Sequence, residues 1–217
     1  MTPQDLYARR PLCNDGFYET FNRDNVTLVD LRQEPIEEIT PNGIRTTAKE
    51  YDLDVIVFAT GFDAVTGNYV KIDIRGRHGE QLREKWAEGP RAHLGLVSAG
   101  FPNMFMIFGP MGPFTNQPPA HEFQVDWVAD AIEYARDHGG GVIEATRQAE
   151  DAWMDECVQI ANATLFTKID SWINGANVDG KPVSVNFFMG GMGAYVDRMR
   201  HVAANHYDGF AMGVPSR

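Results

Sequence analysis

The sequence predicts an α/β fold with helices packed on a sheet. Two continuous apolar runs, residues 55–59 (VIVFA) and 104–108 (MFMIF), are each followed within two positions by glycine, at Gly61 and Gly109. Short unbroken runs of this kind fit strands covered on both faces. After the second run, Ala120, Phe123, Trp127, Ala131 and Tyr134/Ala135 recur at helical spacing. Strand, glycine-rich loop and helix in that order are the usual make-up of a cofactor-facing sheet edge. Glycine lets the backbone approach a flat ligand, and a helix start offers free N–H groups.

Residues 1–25 are polar and rich in turn formers, with Arg9-Arg10-Pro11-Leu12-Cys13 the most distinctive stretch. Pro11 biases Arg10 toward extended backbone. Short β-type runs follow at 26–31 (VTLVDL), 36–39 and 44–47, punctuated by Pro35 and by the hairpin-type signal Pro41-Asn42-Gly43. Residues 69–75 alternate as a strand would, Arg77-His78-Gly79 reads as a turn, and 81–88 as a short helix around Trp86. The prolines of the loop Met111–Pro119 stand where a helix begins, and Gly139-Gly140-Gly141 ends that helix. A further helix is expected over 146–168, with Ala149, Trp153, Ile160 and Ala161 as its apolar stripe. Beyond it come a Gly/Asn-rich loop at 171–181 (SWINGANVDGK), an extended stretch at 183–188 and a last helix over 194–207.

The 217 residues are long for one domain and short for two. A 43% hydrophobic and 23% charged composition is that of a globular protein. Nineteen basic against thirty acidic residues, net −11, argue against nucleic acid or an anionic membrane as partner. Two distant cysteines, Cys13 and Cys157, match no metal or redox spacing, which fits free thiols in a reducing compartment. With no apolar run of membrane length and no secretory leader pattern, a cytoplasmic protein is expected. No GxGxxG, phosphate loop, nucleophile elbow or zinc helix occurs, so metal chemistry and serine hydrolysis lose most of their case.

Read together, several segments resemble the C-terminal part of Baeyer–Villiger monooxygenases of the cyclohexanone monooxygenase type. They are Arg9-Arg10-Pro11-Leu12-Cys13, Tyr18-Glu19-Thr20-Phe21-Asn22 and Asp54-Val-Ile-Val-Phe-Ala-Thr60-Gly61-Phe62-Asp63. The match continues through Asn103-Met-Phe-Met-Ile-Phe-Gly109-Pro110, Gly112-Pro-Phe-Thr-Asn116, and Leu165-Phe-Thr-Lys168 with Ser171-Trp172. The family's flavin and nicotinamide fingerprints would lie upstream of this match. The resemblance therefore implies the C-terminal parts of two dinucleotide-binding, Rossmann-like domains: residues 1–66 the tail of the NADP(H) domain, 67–217 the C-terminal segment of the FAD domain.

The activity implied is insertion of one oxygen atom from O2 into a ketone, giving an ester or lactone, with FAD and NADPH as cofactors. In the family a flavin C4a-peroxide, stabilised by an arginine and by bound NADP, attacks the carbonyl. By position Arg10 resembles that catalytic arginine, whose fixed charge suits both the peroxide and the tetrahedral oxygen. Arg9 resembles the cation at the NADP 2′-phosphate. The resemblance also puts Thr60, Gly61, Met111 and Gly112 beside the cofactors, and Trp172 on a loop folding over NADP. Phe114, Thr115, Gln117 and Phe187 match substrate-pocket positions, with Gln117 standing where an apolar residue is common. Read without the family, Arg9-Arg10 is an exposed basic pair, Thr60-Gly61 an ordinary strand end, and Phe187 and Trp172 packing residues. A missing N-terminal half, in cis or in trans, is an expected partner. Two alternatives stay open: a truncated non-catalytic remnant, and a related flavin monooxygenase that oxidises heteroatoms.

Overall fold

The computed structural model describes residues 8–9 and 14–213. Among the described residues the chain divides into two compact units, one of residues 14–61, the other of residues 8–9 and 62–213.

In the first unit, β1 (Ile36–Thr40), β2 (Gly43–Thr46) and β3 (Glu50–Asp52) form an antiparallel meander in the order β1-β2-β3. Pro41 and Asn42 are the two-residue turn between Thr40 and its partner Gly43, as the turn signal predicts. Register places Arg45 between Glu38 and Glu50, and its guanidinium bonds both carboxylates, at 2.8 and 3.4 Å. Residues 26–31 form no strand. Nor does the 55–59 run, which takes no regular structure, with Val55 and Val57 exposed at 75% and 82%. The expected strand covered on both faces is therefore not found: among the described residues no strand pairs with this run and its side chains are largely exposed.

The second unit is built on three long helices. A short α1 (Gly67–Val70) and α2 (Leu82–Lys85) come first. Residues 69–75 therefore begin in a helical turn, not in the expected strand. Helix α3 (Gln117–Gly139) starts on Pro118-Pro119 and stops at Gly140, whose left-handed backbone (φ 81°) caps it. Its buried positions Ala120, Gln124, Trp127, Ala131 and Ala135 recur three or four apart. Strand β4 (Val142–Ala145) pairs antiparallel with the C-terminal β5 (Phe210–Gly213). Helix α4 (Arg147–Asn162) is capped by Thr146, whose hydroxyl accepts from the Ala149 N–H. It is shorter than expected, and a separate 3-10 turn, Phe166–Lys168, follows it. Helix α5 (Gly191–Ala204) packs Tyr195 and Met199 into the core. Indole N–H groups tie these parts together, Trp127 to the Met199 carbonyl and Trp153 to that of Met111.

The mixture of helices and small sheets is the expected α/β class, but both sheets are antiparallel. Residues 104–108 are packed without forming a sheet strand. The Met106 N–H bonds Leu96, the Phe108 N–H bonds the Gln124 side chain, and Phe108 has a positive φ. Among the described residues no strand pairs with this run. Among the described residues, no helix is long and apolar enough to cross a membrane.

His93 carries a pH dependence. Its ring is buried against Phe210, and neither nitrogen finds a partner in good hydrogen-bond geometry. Burial lowers its pKa to about 4, only partly offset by the Ala149 backbone and the Glu150 and Asp208 charges. An unfolded histidine protonates near 6.5, so between that pH and 4 the unfolded chain binds the extra proton. Stability is therefore expected to fall by about 3 kcal/mol as pH drops through that window. Urea midpoints at pH 7 and 4.5 check this, with His93→Phe expected to flatten the difference.

Candidate active site

Segments far apart in sequence meet to form an aromatic wall. Residues 111–114 run alongside 186–188 as a short parallel ladder. The Met111 N–H donates to Asn186 (2.9 Å), the Phe188 N–H to Gly112 (2.8 Å) and the Phe114 N–H to Phe188 (3.0 Å). Successive side chains of an extended segment point to opposite sides. Phe188 accordingly stacks on Trp153 in the core, with ring centroids 5.0 Å apart. Phe187 faces the other way, toward Phe114 (5.3 Å), Phe108 (6.0 Å) and Trp172 (6.1 Å). Phe114 also meets Phe166 at 5.6 Å and Trp172 at 6.5 Å.

Backbone crossings and a buried polar relay hold this wall. Gly95 passes so close to Gly112 that a Cβ on Gly95 would lie 2.4 Å from the Gly112 Cα. With φ at +70°, only glycine suits it. Leu94 and Phe108 also carry positive φ, an uncommon state for bulky residues. The Phe108 N–H donates to Gln124 Oε1, Gln124 Nε2 donates to the Tyr195 hydroxyl, and that hydroxyl donates to the Leu94 carbonyl. Burial drives the Tyr195 pKa upward, so it stays a protonated donor. Sequence reading missed this relay, although Gln124 is a polar residue on the apolar stripe of α3. His121 was missed too: its ring lies 5.3 Å from that of Phe108, and its Nε2 is buried without a partner.

The 171–181 loop is a hub. Ser171 Oγ donates to the Ala8 carbonyl at 2.6 Å. Asn174 braces the loop internally, accepting from the Ser171 N–H and donating to Ile169. Asn177 donates to Phe62, and Lys181 bonds Asp63 (2.5 Å) and the Ala64 carbonyl.

Of the sequence-predicted site residues, Phe114, Phe187 and Trp172 come together. Thr115 is half-buried, and Gln117 is exposed at the first helical position of α3. Met111 sends its side chain into the core, leaving its backbone beside the wall. Arg9 is exposed and has no ion pair among the described residues. Thr60 and Gly61 are exposed, and open space lies where a Gly61 Cβ would project. Arg10, with Pro11, Leu12 and Cys13, lies outside the described residues.

No protein-family model matches the chain. A Baeyer-Villiger monooxygenase of Pseudooceanicola batsensis is 52% identical over 208 residues, covering 95% of this chain and 38% of the relative. A crystal structure of cyclohexanone monooxygenase from Rhodococcus sp. Phi1 bound to NADP+ superposes with TM-score 0.93 at 50% identity. It covers 98% of this chain and 40% of that one. The chain belongs to the Baeyer–Villiger monooxygenase family. It corresponds to a C-terminal portion of family members, spanning about two fifths of the length of the curated relatives it matches. The phenazine N-monooxygenase PhzNO1 of Lysobacter antibioticus is 47% identical over 213 residues, 98% of this chain and 39% of its own. The OTEMO complex with FAD and NADP has TM-score 0.87 at 41% identity, over 95% and 38% of the two chains.

Proposed function

We propose that this chain is the C-terminal portion of an FAD- and NADPH-dependent Baeyer–Villiger monooxygenase, which inserts one oxygen atom from O2 into a ketone to give an ester or lactone. The convergence of Phe114, Trp172 and Phe187 carries this reading. The resemblance implies Phe114 and Phe187 in the substrate pocket and Trp172 on the loop over NADP; 73 positions apart at the extremes, the three rings lie within 6.5 Å of each other. In this reading residues 1–66 close the NADP(H)-binding domain and 67–217 belong to the FAD-binding domain.

The residues fit the two cofactors. Arg9 is an exposed cation with no ion pair among the described residues, suited to a 2′-phosphate. Helix α3 starts without a side-chain cap, so its N-terminal partial charge faces outward from Asn116. When bound, the nicotinamide supplies electrons and the flavin supplies the activated oxygen. Thr60, Gly61, Met111 and Gly112 contribute backbone that approaches the cofactors closely, and Trp172 covers the site and excludes water. Phe114, Thr115, Gln117 and Phe187 shape the ketone pocket. Arg10 supplies a permanent positive charge for negative charge developing on oxygen.

In a family-length chain carrying this segment, Arg10→Ala is expected to abolish oxygen insertion while NADPH-dependent flavin reduction persists. Unchanged lactone formation would remove Arg10 from the role. The 217-residue chain by itself is expected to purify colourless and to leave NADPH unoxidised, since neither dinucleotide fingerprint is in its sequence; a yellow preparation would contradict this. A second reading, oxidation of a ring nitrogen, is favoured by the phenazine N-monooxygenase likeness and by the polar Gln117. Product analysis with a cyclic ketone and an N-heterocycle side by side separates the two.

A further inference from the structure

We propose that Ser171 is a positioning residue that locks the segment carrying Arg9 to the Trp172 loop, so that the phosphate-directed cation and the covering indole are held in one register. The proposal rests on the reading of Arg9 and Trp172 given above. Its physical basis is a buried hydrogen bond between residues 163 positions apart: Ser171 Oγ donates to the Ala8 carbonyl at 2.6 Å, and both residues are buried.

This bond is built into the loop. The Ser171 hydroxyl accepts from the Ile173 N–H, while its own N–H is held by Asn174 Oδ1. Asn174 donates in turn to the Ile169 carbonyl, and the Ser171 carbonyl accepts from Ala176. The hydroxyl thus has its orientation set from the loop side, leaving its proton for Ala8. On the other side, Ala8 adjoins Arg9 directly, so the accepted carbonyl belongs to the peptide unit that carries the Arg9 N–H. A buried carbonyl left without its donor costs free energy, which opposes separation of the two segments. The loop's other outward bonds, from Asn177 and Lys181 to residues 62–64 and from Asn186 and Ser184 to the Ile173 and Asn174 carbonyls, do not reach Ala8 or Arg9. Ser171 is therefore the described side chain that couples Arg9 to this loop.

The test compares Ser171→Thr with Ser171→Val, two side chains of equal shape that differ by the hydroxyl. In the 217-residue chain, hydrogen exchange is read at the Arg9, Ile173 and Ala176 amides. The valine variant is expected to exchange about fivefold faster at Arg9 as well as in the loop, and the threonine variant to match the parent. Equal exchange in both variants overturns the lock. The second arm uses a chimera in which residues 1–217 replace the matching portion of the Pseudooceanicola batsensis relative. There NADP+ and NAD+ affinities are measured by calorimetry. Ser171→Val is expected to weaken NADP+ about fivefold and NAD+ little, with Ser171→Thr restoring the preference. A merely structural loss would weaken both nucleotides alike and would overturn the proposal. If Arg9→Ala also leaves the preference unchanged, the phosphate reading of Arg9 fails; if Arg9→Ala abolishes it and Ser171→Val does not, the lock alone fails.

Discussion

Glu150→Ala is expected to destabilise the second unit by about 3–5 kcal/mol, the usual result of removing one partner from a buried ion pair. Glu150 is 1% exposed on the inward face of α4. Its carboxylate accepts from Lys85 Nζ at 3.0 Å, from the Ser98 hydroxyl at 3.1 Å and from the Ala99 N–H at 2.8 Å. Arg91 adds a more distant charge at 3.6 Å while bonding Asp151 as well. Lys85 is itself buried and also donates to the Ala99 carbonyl. Alanine would leave that ammonium without its counter-charge and the Ala99 N–H without an acceptor, while the Ser98 hydroxyl keeps the Arg91 carbonyl at 2.9 Å. Lys85→Met combined with Glu150→Leu removes both charges and should cost much less than Glu150→Ala, because buried pairs break nearly even against apolar replacements. Urea unfolding at pH 7 of the single and double variants measures the difference. If Glu150→Ala costs under 1 kcal/mol, roughly the value of an exposed pair, the carboxylate is wetter than its burial indicates.

Glu150 also shows why half of the core was legible and half was not. Helical spacing exposes a stripe only through its apolar members. On α3 those members suffice, and the helix with its glycine stop follows from the sequence. On α4 the stripe is Glu150, Trp153, Cys157 and Ala161, and reading Ala149 in place of Glu150 turns the face by one position. A buried glutamate is satisfied by partners 51 to 65 residues away, information no local window contains. Strands β4 and β5 were missed for the same reason, since each is four residues long and exists through pairing with the other. The aromatic cluster was more legible than the sheets. Phe114, Trp172 and Phe187 stood out through resemblance to a family motif, whereas the Gln124–Tyr195 relay and the Ser171–Ala8 bond appear only when the chain is folded.

The 217-residue chain is expected to self-associate as its concentration rises, and Val57→Lys with Phe58→Lys to suppress this. Residues 55–59 form an apolar run that pairs with no strand among the described residues, and Val57 and Phe58 are exposed at 82% and 70%. An unpaired segment with apolar side chains is a template for strand addition. Opposing it is the net charge of −11, which repels like chains at low ionic strength. Those repulsions are screened beyond about 8 Å at physiological salt. Strand pairing acts at about 5 Å, inside that distance, so contact attraction should prevail once copies meet. Light scattering across a salt series should therefore show association increasing with salt in the parent chain. The double lysine variant should stay monomeric throughout. Val125→Lys, a change of the same chemistry on an exposed position of α3, should leave the parent's behaviour unaltered, because an isolated apolar side chain on a helix presents no unpaired backbone. A parent chain that remains monomeric at high salt would mean that the 55–59 backbone is already shielded in solution, and the lysine pair would then change nothing.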